Sequence, residues 1–326
     1  MRGTKKVFGY IAVIMFMATG ISYAAPLAFD DGIFAVNGNN ATDYWAVVGD
    51  AGNNPDSRYY PYCGAVAYEY AIGKYEVTNA QYAAFLNAVA GTSDPHSLYN
   101  SNMNITKTGS IYTPVANMEN KPVVYVSWND AARFVNWLNN GAKNDPLSTE
   151  TGTYTMSLGG SLITRNEGAG YWLPSEDEWY KAAYYKGGGT NAGYWDFATQ
   201  SDTLTTDDAN YNNSVGSATD VGAYDIESYY GTYDQSGNVW EWNETKFSDW
   251  NRGLRGGSYG GYSEIYQSAF CRSHYSIGDQ WLDIGFRIAS SYPYYDDGGA
   301  TVPEPASIGL VAISLIGFVY RRRARV

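Results

Sequence analysis

The chain has 326 residues, of which 16% are aromatic and 17% charged, so it is neither a disordered polymer nor too short to bury a core. Its formal charge of −12 makes it repel nucleic acid and anionic lipid, and no nucleic acid is expected among its partners. The 32 tyrosines and 36 glycines describe a loop-rich protein whose rings pack while their hydroxyls stay wet.

Lys5 and Lys6 precede an apolar run from Val7 to Ala18, and Ser22-Tyr-Ala24 offers small residues for a signal peptidase. Residues 1–24 therefore read as a secretory signal peptide, with an uncleaved anchor as the alternative. Residues 25–64 read as an N-terminal extension full of Asn, Gly and Asp turn signals, with one short strand at Tyr44-Trp-Ala-Val-Val48.

The main domain is expected over 65–290. From Ala65 to Val77 the pattern alternates as a strand does. Thr78 then caps a helix, with Gln81 completing a capping box and Tyr82, Phe85, Leu86 and Val89 on its inner face. Gly91 to Asn120 reads as a polar surface excursion. Val123-Val-Tyr-Val126 reads as a short strand, and Ser127 with Asp130 caps a second helix that presents Ala131, Phe134, Val135 and Leu138 to the core. Ser175 with Glu178 caps a third, whose Trp179, Ala182 and Ala183 face inward. Helices each entered from extended chain indicate an α+β fold.

Gly187 to Tyr230 is a polar, Gly/Thr/Asp/Asn-rich region. A turn on Asp234 and Gly237 then leads into a strand that turns Val239 and Glu241 one way and Trp240 and Trp242 the other. The two indoles make a core face, and Glu241 on the opposite face needs a partner, for which Arg255 and Arg287 are the candidates. After a linker at 291–301 comes a tail over 302–326: Val302-Pro-Glu-Pro305, an apolar segment from Ala306 to Tyr320, and Arg321-Arg-Arg-Ala-Arg325. The apolar segment falls short of the roughly 20 residues that span a bilayer comfortably, and the arginines would hold its end on the cytoplasmic side. Removing leader and tail takes away more positive than negative charge, so the remaining body is more acidic still.

Six motifs occur in a fixed order: Gly73-Lys-Tyr-Glu-Val-Thr-Asn79, Pro122-Val-Val-Tyr-Val-Ser-Trp128, Leu173-Pro-Ser-Glu-Asp-Glu-Trp179, Gly237-Asn-Val-Trp-Glu-Trp242, Arg255-Gly-Gly-Ser258 and Gly285-Phe-Arg287. In these the chain resembles the formylglycine-generating enzyme, or sulfatase-modifying factor, family. The resemblance implies an α+β, C-type-lectin-like fold of the formylglycine-generating-enzyme type, loop-rich, with short amphipathic helices. The tail resembles a PEP-CTERM sorting signal. That implies exosortase-type sorting machinery as a partner, transient anchoring in the inner membrane, cleavage near Pro-Glu-Pro, and delivery to the cell surface or extracellular matrix. A permanent tail anchor is the alternative.

Family enzymes oxidise a sulfatase cysteine with two cysteines that bind copper(I), a soft metal suited to thiolates. The resemblance places those two positions at Gly261 and Tyr266, so copper is not expected. His96 and His274 are too few for the three-histidine iron site of another branch of the superfamily. The two cysteines, Cys63 and Cys271, could form one disulfide or stay free. The resemblance puts Cys271 opposite Ala183, where some relatives carry a disulfide partner, which favours a free thiol. It also implies a calcium cage at Asp234, Gly237, Val239 and Glu241, and the start of a second site at Asn210 and Tyr211. A plain ion pair of Glu241 is the competing reading.

Ser258, Tyr259, Tyr262, Tyr266, Tyr275 and Trp281 lie in the segment that forms the family's substrate groove, where rings could stack on sugars or grip a peptide. Three readings follow: a surface or matrix binding module for peptide or glycan, an oxidoreductase or other enzyme using the same groove, or an architectural matrix protein.

Overall fold

Three helices begin where a hydroxyl side chain closes a capping box: α1 (Asn79–Val89) at Thr78, α2 (Trp128–Asn139) at Ser127 and α3 (Glu176–Tyr184) at Ser175. In each box the hydroxyl accepts the N–H three residues on and the third residue returns the bond, satisfying two otherwise orphaned donors. The computed structural model describes residues 44–291. The expected signal peptide and sorting tail lie outside the described residues.

Among the described residues there are two four-stranded sheets and one hairpin. The first sheet has β1 (Trp45–Val48), β2 (Tyr70–Gly73), β10 (Ala289–Ser290) and β5 (Tyr171–Trp172) side by side, all antiparallel. The hairpin is β3 (Ile105–Thr108) with β4 (Ile111–Pro114). The second sheet runs β8 (Ser273–Ser276), β7 (Asn251–Arg255), β6 (Trp240–Lys246) and β9 (Ile284–Gly285); only β6 and β9 are parallel.

The connection between β9 and β10 is three residues long, Phe286-Arg-Ile288, and all three are fully buried. It ties the two sheets together. Phe286 sets its ring edge-on to Phe134 of α2 at 5.4 Å, and the carbonyls of Phe286 and Ile288 accept from the N–H groups of Val77 and Gly73. Gly285 is glycine for a steric reason: a Cβ there would stand 2.7 Å from the Val123 carbonyl oxygen.

The main core lies between α1, α2 and the sheets, and its rings interlock edge to face around Tyr82, Phe85, Phe134 and Trp137. Trp242 points fully into it, whereas Trp240 is only partly buried.

Three expectations need correction. The excursion from Gly91 to Asn120 is not wholly on the surface: it contains β3 and β4 and sends Leu98, Met103, Ile105 and Tyr112 into the main core. Val123–Val126 forms no strand, because Tyr125 has a φ of 59° and breaks the extended run; its pairing is a bridge between Thr78 and Pro122, the bond from Val123 N–H to Val77 O and the bond from Tyr125 N–H to Trp281 O. Of the stretch from Ala65 to Val77, only Tyr70–Gly73 is strand.

Candidate functional site

The second sheet and the irregular chain between β7 and β8 carry most of the expected site. Its floor is ionic. Glu241 and Arg287 are both shut off from solvent, with Arg287 Nε 2.6 Å from Oε2 and Nη2 2.7 Å from Oε1. Trp179 Nε1 donates to the same Oε2 at 2.6 Å. Arg287 spends its remaining donors on the carbonyls of Gly73, Lys74 and Tyr233. The partner of Glu241 is thus Arg287. Arg255 instead donates to Glu176 at 2.7 Å, and Arg272 pairs with the same carboxylate. Arg165 bridges Glu178 and Glu244 and lies over the Trp172 ring. Glu178 is therefore more than a helix cap.

The positions expected to cage calcium separate by role. Both oxygens of Glu241 are engaged by Arg287, so a cation held there would sit beside a guanidinium. Asp234 Oδ2 accepts from the Gly222 N–H at 2.6 Å, and Gly237 N–H donates to the Gly256 carbonyl. Val239 is buried in full. Burial, with Glu241 nearby, pushes the Asp234 carboxyl up to about 6, and burial with Asp234 and Glu241 nearby pushes Glu76 well up too. Among the described residues no three His, Cys, Asp or Glu side chains are gathered to hold a metal ion. Asn210 Oδ1 is buried without a partner, and Tyr211 packs with Phe197, Leu204 and Ala209.

Gly261 and Tyr266 flank a residue that sequence reasoning missed, Gln267. Its side chain is buried against Gly257 and Gly261, and Nε2 donates to the Ser258 carbonyl at 3.1 Å. A Cβ built at Gly261 would meet Nε2 at 2.6 Å. The space a side chain at 261 would use is filled by an amide. Tyr266 turns outward and is half exposed.

Neither cysteine is in a disulfide, and the two approach the same guanidinium from different sides. Cys63 Sγ lies 3.7 Å from Arg255 Nη2, while the Cys271 carbonyl accepts from Nη1 at 2.7 Å. Burial pushes the Cys63 thiol up to about 11 and raises Cys271 as well, although Arg255 opposes both shifts.

The expected ligand residues divide into a buried and an exposed set. Ser258 is buried and donates to Asp283 at 2.8 Å. Tyr259 is half-buried, its N–H donating to the Asn238 carbonyl. Tyr262, Tyr266, Tyr275 and Trp281 are exposed, Tyr262 by 80%. Tyr275 and Trp281 are brought together, their rings 5.9 Å apart. The sequence reading missed Tyr60, Tyr62 and Phe270, which are also exposed; Phe270 packs edge-on against Tyr59, beside Tyr60. The signal was there in Tyr59-Tyr-Pro-Tyr62, an aromatic run inside a polar stretch.

Residues 38–292 match the family model of the sulfatase-modifying factor enzyme 1-like domain. The chain belongs to the sulfatase-modifying factor family. Its family match starts inside the segment expected to be an extension, and β1 shows why: it is a full member of the first sheet. Residues 301–323 match the PEP-CTERM protein-sorting motif, which implies recognition by exosortase-type sorting machinery and export to the cell envelope. Among the described residues no helix is long and apolar enough to cross a membrane.

Of solved structures, this sulfatase-modifying factor domain is similar to Treponema denticola variable protein 1, at 21% identity over 76% of this chain and 95% of that one, with a TM-score of 0.52. It is similar to CarF at 22% identity over 76% of this chain and 98% of that one, with a TM-score of 0.54. These likenesses bear out the expected loop-rich α+β fold of the formylglycine-generating-enzyme type. A search of curated proteins finds no match.

Proposed function

We propose that this exported sulfatase-modifying factor domain binds a peptide or glycan at the envelope surface or in the extracellular matrix, and that it is not a copper oxidase. One observation carries the reading: Gln267 fills the space beside Gly261, and Tyr266 faces outward, where the family resemblance calls for two thiolates. These residues do not fit copper(I), which needs soft sulfur ligands close together. The other enzyme reading, an oxidase using Cys271, is disfavoured by a thiol that burial keeps protonated. Glu241 is a structural partner of Arg287 in this account, not a calcium ligand.

The exposed rings of Tyr262, Tyr266, Tyr275 and Trp281 supply the contact surface. Delivery follows from a cleaved leader, transient anchoring of the tail in the inner membrane, and cleavage near Pro303-Glu-Pro305. The binding test is a glycan and peptide panel probed with the mature domain and with Tyr262→Ala and Trp281→Ala. Saturable binding to a ligand, weakened at least tenfold by one of the two substitutions, is expected. Absence of saturable binding across the panel would leave the architectural reading in its place.

A further inference from the structure

Gln280, the residue before Trp281, helps to line a cavity of about 530 Å³ between the N-terminal turn of α2, the 96–101 loop and the chain after β8. Its size lies within the ~300–1,000 Å³ range of small-molecule sites. The walls are held in place. Asp94 fastens the loop by accepting the N–H groups of Leu98 and Tyr99 at 2.8 and 2.9 Å. Asn100 Nδ2 donates to Gln280 Oε1 at 2.7 Å, and Gln280 Nε2 donates to Asp130 Oδ2 at 2.8 Å. Asp130 Oδ2 also accepts both the N–H and the hydroxyl of Ser127.

What the fold leaves unused is the informative part. Asp130 Oδ2 carries all of that carboxylate's bonds, and Oδ1 has no partner among the described residues. Arg133 spends Nε and Nη2 on Glu150 and leaves Nη1 without one. Asn129 Oδ1 is buried and unpaired. A guanidinium donor thus stands three and four residues along α2 from two oxygen acceptors, and Tyr99 lines the same cavity. Leaving Asn129 Oδ1 buried without a partner is unfavourable, and a bound polar molecule would remove that cost, while Asp130 Oδ1 and Arg133 Nη1 are free to bond it.

The pattern selects the chemistry. Glu150 and Asp130 repel an anion, and Arg133, bonded to Glu150 beside His96, opposes a cation. A hydroxyl both donates and accepts, so adjacent hydroxyls on one ring meet a mixed set of donors and acceptors that a purely acidic or purely basic ligand cannot. The C–H face of a sugar ring suits Tyr99.

We propose that this cavity, lined by Tyr99, Asn129, Asp130, Arg133 and Gln280, binds a neutral sugar residue. The proposal rests on the reading of the domain as a ligand-binding module and names the ligand class.

The test is saturation-transfer NMR and calorimetric titration of the mature domain with neutral methyl glycosides, methyl glucuronide and a short peptide. Saturable binding of a neutral glycoside is expected, at least tenfold tighter than of the glucuronide. Arg133→Ala should weaken it at least tenfold. Because Arg133 also holds Glu150, Ser101→Trp on the exposed rim supplies a second variant that blocks the cavity without touching the core. The proposal is overturned if no neutral glycoside binds, if the glucuronide or the peptide binds better, or if Ser101→Trp has no effect. Loss of polymer binding in Trp281→Ala with no glycoside binding in the native domain would refute the cavity while sparing the exposed rings as a binding surface.

Discussion

Arg287 and Glu241 face each other across the junction of the two sheets, joined by two bonds of 2.6 and 2.7 Å with no solvent reaching either side chain. Arg287 arrives from the three-residue link between β9 and β10, and Glu241 from β6. Replacing one partner strands a charge in the interior. Arg287→Met should destabilise the domain by about 3–5 kcal/mol, and Arg287→Met with Glu241→Met by clearly less than the single change, as read by urea unfolding. The melting temperature of the native domain should be the same in calcium and in chelator. A calcium-dependent rise of several degrees that vanishes in Glu241→Gln would make Glu241 a ligand.

Gln267 and Gly261 should be coupled. Gly261→Ala pushes a methyl group into Nε2 and is expected to cost about 1–3 kcal/mol. Once Gln267→Ala has emptied the space, the same change should cost at least ~0.5 kcal/mol less, which a double-mutant cycle in denaturant measures. Additive single effects would mean that the two side chains do not compete.

Acid should favour the pocket around Glu76 and Asp234. Asp234 titrates near 6 when folded, against 3.8 ordinarily, because burial and the nearby Glu241 outweigh the Gly222 N–H bond, Arg287 and a bond with Glu76, which pull the other way. The folded state therefore binds more protons than the unfolded one between these values. The stabilisation is complete below the unfolded value and is lost as pH rises through about 6. Asp234→Asn removes this loss, so the variant should gain on the native domain by on the order of 1 kcal/mol between pH 4 and pH 7. A stability difference flat with pH would contradict the assignment.

Much of the fold was legible because its signals are local. Each capping box needs only two residues three apart, and all three helices start where Thr78, Ser127 and Ser175 predict. The short strand at 44–48 was legible too, but not that it pairs with β2 inside the first sheet. Tertiary effects hid the rest. Val123–Val126 has strand composition, yet Tyr125 takes a left-handed backbone and its N–H donates to the Trp281 carbonyl, outside any ladder. Arg255 is the register partner of Glu241 across β6 and β7, yet its side chain goes to Glu176 and Arg287 comes in from the link after β9, which no local pattern announces. Gln267 fills a gap defined by two glycines several residues away, so no pattern announces it. The aromatic surface was half legible: Tyr262 and Trp281 are exposed as expected, while Ser258 is committed to Asp283.

Both thiols should be slow to react. With Cys63 raised to about 11 and Cys271 raised by burial, thiolate is scarce at neutral pH. A maleimide or disulfide reagent at pH 7.5 is expected to label the native domain at least tenfold more slowly than the urea-unfolded chain. Fast native labelling of Cys271 would show a reactive thiol and reopen the oxidase reading.

The most direct measurement is incubation of the purified domain with copper(I), oxygen and a sulfatase-type cysteine peptide, followed by mass spectrometry for the aldehyde. Unmodified peptide and no stoichiometric cuprous binding are expected. Conversion of the peptide cysteine to formylglycine, with one copper held per chain, would contradict it.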